Sequence, residues 1–349
     1  MASQEDGKPK KVLLRLNYEL SEEQTVLSDQ IVNNFKRGVD TLVYAVCGSG
    51  KTEISYAVIK YAMEQGMHVG FALPRRDVVI ELYERLKDAF PYNKIVAVYG
   101  GNHEILTGDC VILTTHQLFR YPNYFDLIVM DEIDAFPYKG NDVLEAIFKR
   151  SLRGHCLMMS ATPSKEVVSA FLTPGHQMLT LHTRFHKHPI PVPENLIRRG
   201  YRKIFFLVKK LREYQKEGRP VFVFVPTIDL SISLYRVLAA ACPNGNYVSS
   251  KREGRTKIIR DFKNRKYDYL ITTAVLERGV TVAGLQVIVY EADSPIYNAA
   301  TLIQIAGRAG RKNEAPDGDV IFLADTESEA MANAVSEIKY CNTFLQNML

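Results

Sequence analysis

From Ala45 to Thr52 the chain reads Ala-Val-Cys-Gly-Ser-Gly-Lys-Thr. The run follows an apolar stretch, Leu42-Val43-Tyr44. It precedes a helical pattern that begins at Glu53 and continues through Ile54, Ala57, Val58 and Tyr61. Strand, glycine-rich turn, helix is the context a phosphate loop needs. The glycines let backbone N–H groups turn inward around an anion, and the helix start adds its dipole. On this reading Gly48 and Gly50 shape the turn, and Cys47, Ser49 and Glu53 also count among the nucleotide-binding residues. Lys51 reaches the phosphates as a point charge, and Thr52 sets its hydroxyl on Mg²⁺. The full pattern opens on Gly, and here that position is Ala45. The competing reading is a glycine-rich turn that happens to precede Lys-Thr.

A phosphate loop at the head of a 349-residue chain leaves room for two α/β domains. With 46% hydrophobic and 24% charged residues, the composition is that of a soluble globular protein. A net charge of +5 permits nucleic-acid binding without demanding it. The five cysteines (Cys47, Cys110, Cys156, Cys242 and Cys341) are far apart and form no C-x-x-C pair. They read as reduced thiols, not as a disulfide frame or a zinc site. No apolar run approaches a membrane span and no signal peptide opens the chain, so a cytoplasmic location is expected. Residues 1–16 read as a disordered segment, 17–186 as a first domain, 187–200 as a linker and 201–349 as a second domain. The linker rests on Pro189, Pro191 and Pro193, which break both periodicities. His182, His186 and His188 lie in or near it without acid or Cys neighbours at ligand spacing, and read as solvated.

Strands alternate with helices through both halves, which implies parallel sheets with ligands beyond the carboxyl ends of the strands. Before the phosphate loop, Ser21 and Gln24 fit a capping box. Gln24 is equally readable as an amide that recognises adenine. Arg75, Gly101, Thr115 and His116 follow apolar runs and match a track for a phosphate backbone, although each alone is an ordinary surface residue. Phe125–Met130 reads as a buried strand that delivers Asp131-Glu132-Ile133-Asp134. There Asp131 is placed to hold Mg²⁺ through water and Glu132 to orient and deprotonate the attacking water. Phe136 and Tyr138 beside Lys139 could stack bases or simply pack a loop. In the second half, Tyr269-Leu270-Ile271 ends in Thr272-Thr273. The charge-dense stretch from Lys251 to Arg265 reads by default as a solvated face. Arg308 and Arg311, three residues apart, share a helical face or the turn beyond it. They fit either a basic helix end or a pair of arginine fingers for a γ-phosphate.

Taken in order, Gln24, Ala45–Thr52, Pro74-Arg75, Thr114-Thr115-His116, Asp131–Asp134, Ser160-Ala161-Thr162, Thr272–Gly279 and Gln304–Arg311 resemble the motif series of superfamily 2 helicases and translocases. Within that group the runs 72–79 and 131–138 are most similar to the ComFA-like DNA-uptake ATPases of natural competence, with PriA-like helicases next in pattern. The resemblance implies two RecA-like domains, each a mostly parallel sheet flanked by helices, with ATP in the cleft between them and single-stranded DNA across both. It carries the phosphate-loop roles to Gly48, Gly50, Lys51 and Thr52, and the metal and water roles to Asp131 and Glu132. It makes Arg308 and Arg311 the fingers, gives Gln304 a part in positioning water or γ-phosphate, and brings the Gly279 backbone close to the nucleotide. Arg75, Thr115 and Thr273 become the residues across which a strand is ratcheted.

ATP and Mg²⁺ are thus the expected cofactors. Single-stranded DNA, a competence membrane channel and a ComFC-like partner are the expected partners, with work at the inner face of the membrane. Such proteins usually carry a four-cysteine zinc module before the core. No such cysteines stand here, so zinc is not expected in this chain. Thr281 replaces the acid that often follows Arg-Gly, which leaves ribose recognition by a carboxylate unsupported. The expected activity is a DNA-dependent ATPase driving single strands into the cytoplasm. A PriA-like 3'-5' helicase of replication restart, or a nucleotide-dependent clamp that does not translocate, are the alternatives.

Overall fold

The computed structural model describes residues 11–16, 18–46, 48–133, 140–184, 188–249, 252–273, 282–310 and 317–346. The chain divides into two compact units, residues 1–185 and 186–349. Cys47, Phe136, Tyr138, Gly279 and Arg311, named above as site residues, lie outside the described residues.

In the first unit α1 (Glu22–Lys36) precedes β1 (Asp40–Ala45), α2 (Lys51–Ile54), α3 (Tyr56–Glu64), β2 (Val69–Leu73), α4 (Arg76–Ala89), β3 (Ile95–Val98) and β4 (Cys110–Thr114). A 3₁₀ helix (Thr115–Arg120) leads to β5 (Phe125–Asp131), α5 (Asp142–Ser151), β6 (Leu152–Ser160), α6 (Lys165–Ala170) and β7 (His176–Leu181). The strands form one seven-stranded sheet in the order β3-β4-β2-β5-β6-β1-β7. Every pairing is parallel, so all the carboxyl ends open on one edge. Alternation splits the strands between two cores. Val69, Phe71, Leu73, Leu127 and Val129 pack on one face with α1, α3 and α4. Ala72, Phe125, Ile128 and Met130 pack on the other with α5 and α6.

The second unit runs β8 (Glu194–Ile197), α7 (Arg202–Lys216), β9 (Val221–Val225), α8 (Ile228–Ala241), β10 (Gly245–Tyr247), α9 (Arg255–Lys263) and β11 (Tyr269–Thr273). It ends with β12 (Gln286–Tyr290), α10 (Ala299–Ala306), β13 (Val320–Ala324) and α11 (Glu329–Gln346). Its six strands are again all parallel, in the order β10-β11-β9-β12-β13-β8. Leu207, Leu211 and Tyr214 of α7 join Val221, Val223 and Val225 of β9 in its core.

Two elements differ from the sequence reading for identifiable reasons. Strand β8 falls inside the proline-rich stretch read as linker, and it pairs with β13 at the sheet edge. An edge strand tolerates prolines because one side of its backbone needs no partner, and here they stand before the strand at 189, 191 and 193. The helix after the phosphate loop starts at Lys51, not Glu53, and is interrupted at Ser55. Two hydroxyls enter its carbonyl ladder there. Ser28 Oγ donates to Ile54 O at 2.8 Å and Ser55 Oγ donates to Thr52 O at 2.6 Å.

Candidate active site

The turn after β1 has the backbone a phosphate loop requires. Gly48 and Gly50 both sit in the left-handed region, at φ 83° and 79°. A Cβ on Gly50 would lie 2.5 Å from Gln24 Nε2, so this position also needs glycine for space. Ala45, which stands where the pattern has Gly, is buried at the end of β1, and its carbonyl accepts from Lys51 Nζ at 3.0 Å. Among the described residues Ser49 Oγ is buried with no hydrogen-bond partner, a donor left over for a phosphate oxygen.

Gln24 performs the cap and holds the loop at once. Its Oε1 accepts from Ser21 N–H at 2.8 Å, and Ser21 Oγ accepts from Gln24 N–H at 3.2 Å. Its Nε2 donates to Ser49 O at 2.7 Å. The side chain is 3% exposed. Both ends of the amide are therefore engaged within the protein. The structure shows it as a clamp between α1 and the phosphate loop, and its amide, with two donors and two acceptor lone pairs, can make a second bond at each end.

Glu53, counted above with the nucleotide contacts, has its Oε2 3.6 Å from the place a Gly50 Cβ would take. It is buried and ion-paired with Arg85 of α4, and Tyr18 hydrogen-bonds to it. Burial pushes the neighbouring Tyr56 phenol up to about 12, with the Glu53 charge adding to the rise and Arg85 opposing it. The phenol stays neutral near neutral pH, and the Glu53–Arg85 pair fixes the first turn after the loop. Arg184, which the sequence reading passed over, lies across the loop from the end of the unit. Its Nε stands 3.7 Å from the place a Gly48 Cβ would take. The adjacent Thr183 Oγ1 donates to Glu23 Oε2 at 2.5 Å, which ties this segment to the start of α1.

The acids arrive on β5. Strand β6 separates β5 from β1 in the sheet, and the registers Asp131↔Met159 and Tyr44↔Ser160 bring both strand ends to the same edge. Asp131 Oδ1 accepts from Glu132 N–H at 2.8 Å. Glu132 itself takes φ 59°, a left-handed conformation that costs a non-glycine residue energy and that clusters at functional sites. Between them Ser160, fully buried at the end of β6, accepts from Thr162 N–H at 2.9 Å. Among the described residues no three His, Cys, Asp or Glu side chains form a metal cluster of their own. Thr52 offers a hydroxyl and Asp131 a carboxylate, oxygen donors of the kind that suit Mg²⁺ alongside phosphate oxygens.

A second set of groups occupies the other half of the same edge. Arg75 caps α4 after β2 and pairs with Asp77 at 2.9 Å. Arg76 lies 4.8 Å over the Tyr99 ring, a pairing absent from the sequence reading. Gly101, at φ 88°, turns the chain after β3 with open space at its Cβ position. Thr115 follows β4, and its buried Oγ1 has no hydrogen-bond partner among the described residues, while His116 is exposed. Because β3, β4 and β2 are consecutive in the sheet, these residues fall together.

In the second unit Thr272 and Thr273 are buried at the end of β11. Helix α10 carries Gln304 but stops at Ala306, so Arg308 belongs to the turn beyond it, with its N–H donating to Ile305 O at 3.1 Å. Its guanidinium lies 6.0 Å from the Phe224 ring centroid.

Two parallel-sheet units, a phosphate loop clamped by the preceding helix and an acidic strand end beside it define a nucleotide-hydrolysing enzyme of helicase superfamily 2. The family comparisons agree. Residues 25–170 match the DEAD/DEAH box helicase model and residues 202–313 the helicase conserved C-terminal domain. The chain belongs to the ComFA family. It is 37% identical to competence protein ComFA of Bacillus subtilis strain 168, over 95% of this chain and 74% of that protein. It is 33% identical to competence protein ComFA of Streptococcus pneumoniae R6, over 96% of this chain and 80% of that one. Among solved structures it is similar in fold to Saccharomyces cerevisiae Dbp5 bound to RNA and ADP BeF3. That match has a TM-score of 0.67 at 16% identity, over 93% of this chain and 92% of the other.

Proposed function

We propose that this enzyme is a single-stranded-DNA-stimulated ATPase that moves along the strand and draws it inward during natural competence. The observation that carries the reading is the partition of one sheet edge. The phosphate loop and the Asp131-Glu132 pair occupy the ends of β1 and β5, and the basic, hydroxyl and glycine positions occupy the ends of β2, β3 and β4. A nucleotide and a strand held at the two halves of one rigid sheet can sense each other through it. The competence setting rests on kinship with the two ComFA proteins.

In this reading the loop N–H groups, Ser49 Oγ and Lys51 hold the β- and γ-phosphates. Bound Mg²⁺, held by Thr52 and through water by Asp131, would neutralise charge on the phosphoryl oxygens. Glu132 takes the proton of the attacking water, and its left-handed backbone presents the carboxylate at the strand end. Gln304 orients that water or the γ-phosphate. Arg308 and Arg311, borne by the second unit, act as fingers on the nucleotide held by the first. Gly279 approaches the nucleotide through its backbone. Arg75, Arg76, Gly101, Thr115, His116 and Thr273 contact the strand mainly through phosphates, and Phe136 and Tyr138 stack its bases. Affinity should then vary little with sequence and fall steeply with salt. A competence channel and a ComFC-like protein are the proposed partners, at the cytoplasmic face of the membrane. Among the described residues no helix is long and apolar enough to cross a membrane.

Translocation is tested by ATP-driven displacement of streptavidin from biotinylated single strands, beside a forked duplex. Displacement from one end without fork unwinding supports the reading. Robust fork unwinding would favour the PriA-like alternative, and ATP-dependent DNA retention without displacement would favour a clamp.

A further inference from the structure

Helix α7 has a second face that the nucleotide and strand-end sites leave unused. Lys203, Leu207, Leu211 and Tyr214 point inward, at the spacing of one helical stripe. On the opposite side Tyr201, Phe205 and Lys209 recur every fourth residue. Tyr201 and Phe205 are each 70% exposed. Their rings meet edge to face, with centroids 6.0 Å apart. Single exposed apolar residues are ordinary, but two large aromatic rings kept side by side in water are not.

Their surroundings say what they suit. Arg198, Arg199 and Arg202 crowd the head of the helix, all exposed, and Lys209 continues the line with its side chain 75% exposed. From Arg198 to Lys216 the chain has eight basic residues and one acidic one. The acids nearby are already engaged. Asp325 is taken by Lys203 and by Gly200 N–H, Glu213 is shared by Lys210 at 3.0 Å and Lys209 at 3.9 Å, and Glu327 accepts from Asn195 Nδ2 at 2.6 Å. Cations in such excess over the acids around them attract a polyanion, and exposed rings between them offer stacking faces. The residues flanking the ring pair in the chain, Arg198, Arg199, Arg202 and Lys209, are charged, which suits a polyanion better than an apolar partner.

We propose that Tyr201, Phe205 and the cations Arg198, Arg199, Arg202 and Lys209 form an auxiliary binding surface for single-stranded nucleic acid, separate from the strand-end site. The proposal rests on the DNA-dependent reading above. A strand long enough to reach α7 gains stacking on the two rings and charge contacts along the helix. A short strand fills only the strand-end site.

The test is fluorescence anisotropy of the full chain with oligothymidylates of two lengths, one short and one three times longer, for wild type and for the double variant Tyr201→Ala/Phe205→Ala. Stacking is worth enough per base for the double variant to bind the long strand at least tenfold more weakly. Its affinity for the short strand and its thermal midpoint should match wild type. Tyr201→Phe/Phe205→Tyr should restore long-strand binding, and 5-iodouracil in the long strand should photocross-link to the peptide bearing Tyr201 or Phe205. Long-strand affinity within twofold of wild type, with no such cross-link, would overturn the surface alone. A polyglutamate peptide that binds wild type but not the double variant, with DNA affinity unchanged, would reassign it to an acidic protein and overturn it as well. Wild type binding neither strand would defeat the DNA-dependent reading itself.

Discussion

The carboxyl edges of the two sheets carry comparable motif positions and hold them by different means. In the first unit the phosphate loop is fastened from far along the chain. Gln24 reaches Ser49 O, Ser28 reaches Ile54 O, and Arg85 pairs with Glu53 32 residues away. In the second unit the corresponding groups, Thr272 and Arg308, are buried at the ends of a strand and a helix, and the Arg308 guanidinium lies 6.0 Å from the Phe224 ring centroid. Thr272 Oγ1 donates to Thr273 O at 3.3 Å, and Arg308 N–H donates to Ile305 O three residues before it. The first edge is organised before any ligand arrives, as a binding site gains by being. The second sets Arg308 in the turn just beyond a helix end, against the Phe224 ring. Variants of the first edge should therefore cost nucleotide binding and stability together, and variants of the second should cost turnover with nucleotide binding kept.

The largest test of that contrast is Arg308→Ala. A finger is worth about 10³–10⁵ in rate, so kcat should collapse by that order while a fluorescent ADP analogue binds as before. A parallel loss of nucleotide affinity would place Arg308 in ground-state binding and erase the distinction. Next is Glu132→Gln, which should lower kcat by roughly 10²–10⁴ with nucleotide and DNA binding kept, as expected on losing a general base. Single-turnover kinetics separates chemistry from release in both.

Gln24→Ala should destabilise the protein by about 2 kcal/mol, because it removes half a capping box and strands the Ser49 carbonyl. It should also weaken ATP and GTP alike. A loss of ATP-over-GTP preference at unchanged melting temperature would establish the adenine-reading role.

The smallest effect lies at the opposite end of the first sheet. Burial alone would push the Asp126 carboxyl up, but hydrogen bonds from Arg153 and from His68 N–H, with their charges, hold it below the ordinary range. Its folded pKa is thus below its unfolded one. Its contribution to stability is full above the unfolded value and is lost as the pH falls through the folded one. Asp126→Asn should flatten the acid limb of the stability profile below about pH 4 and leave hydrolysis untouched. A change in ATPase rate would show that this end of the sheet is not merely structural.

What could be read in the residues was whatever one segment decides. The strand, glycine turn and Lys-Thr of the loop, and the apolar strand ending in Asp131-Glu132, are contiguous patterns. What could not be read depends on partners distant in sequence. The break at Ser55 needs the Ser28 hydroxyl, and the engagement of Gln24 needs Ser49 O. The pairing of Glu53 needs Arg85 and Tyr18. Strand β8 hid behind prolines that an edge position excuses, and β7 behind a short run, His176–Leu181, with only two buried residues. The α7 stripe was in the sequence at four-residue spacing, but which side of the helix faces water is settled only by the core it packs against.

The central claim is that a nucleic-acid strand on one half of the first sheet edge governs hydrolysis on the other half. ATP turnover of the full chain with and without single-stranded DNA, beside Lys51→Ala and duplex DNA, tests it most directly. The account predicts strong stimulation by single strands, weak stimulation by duplex, and no activity in the variant under any condition. Wild-type turnover that is indifferent to single-stranded DNA would contradict it.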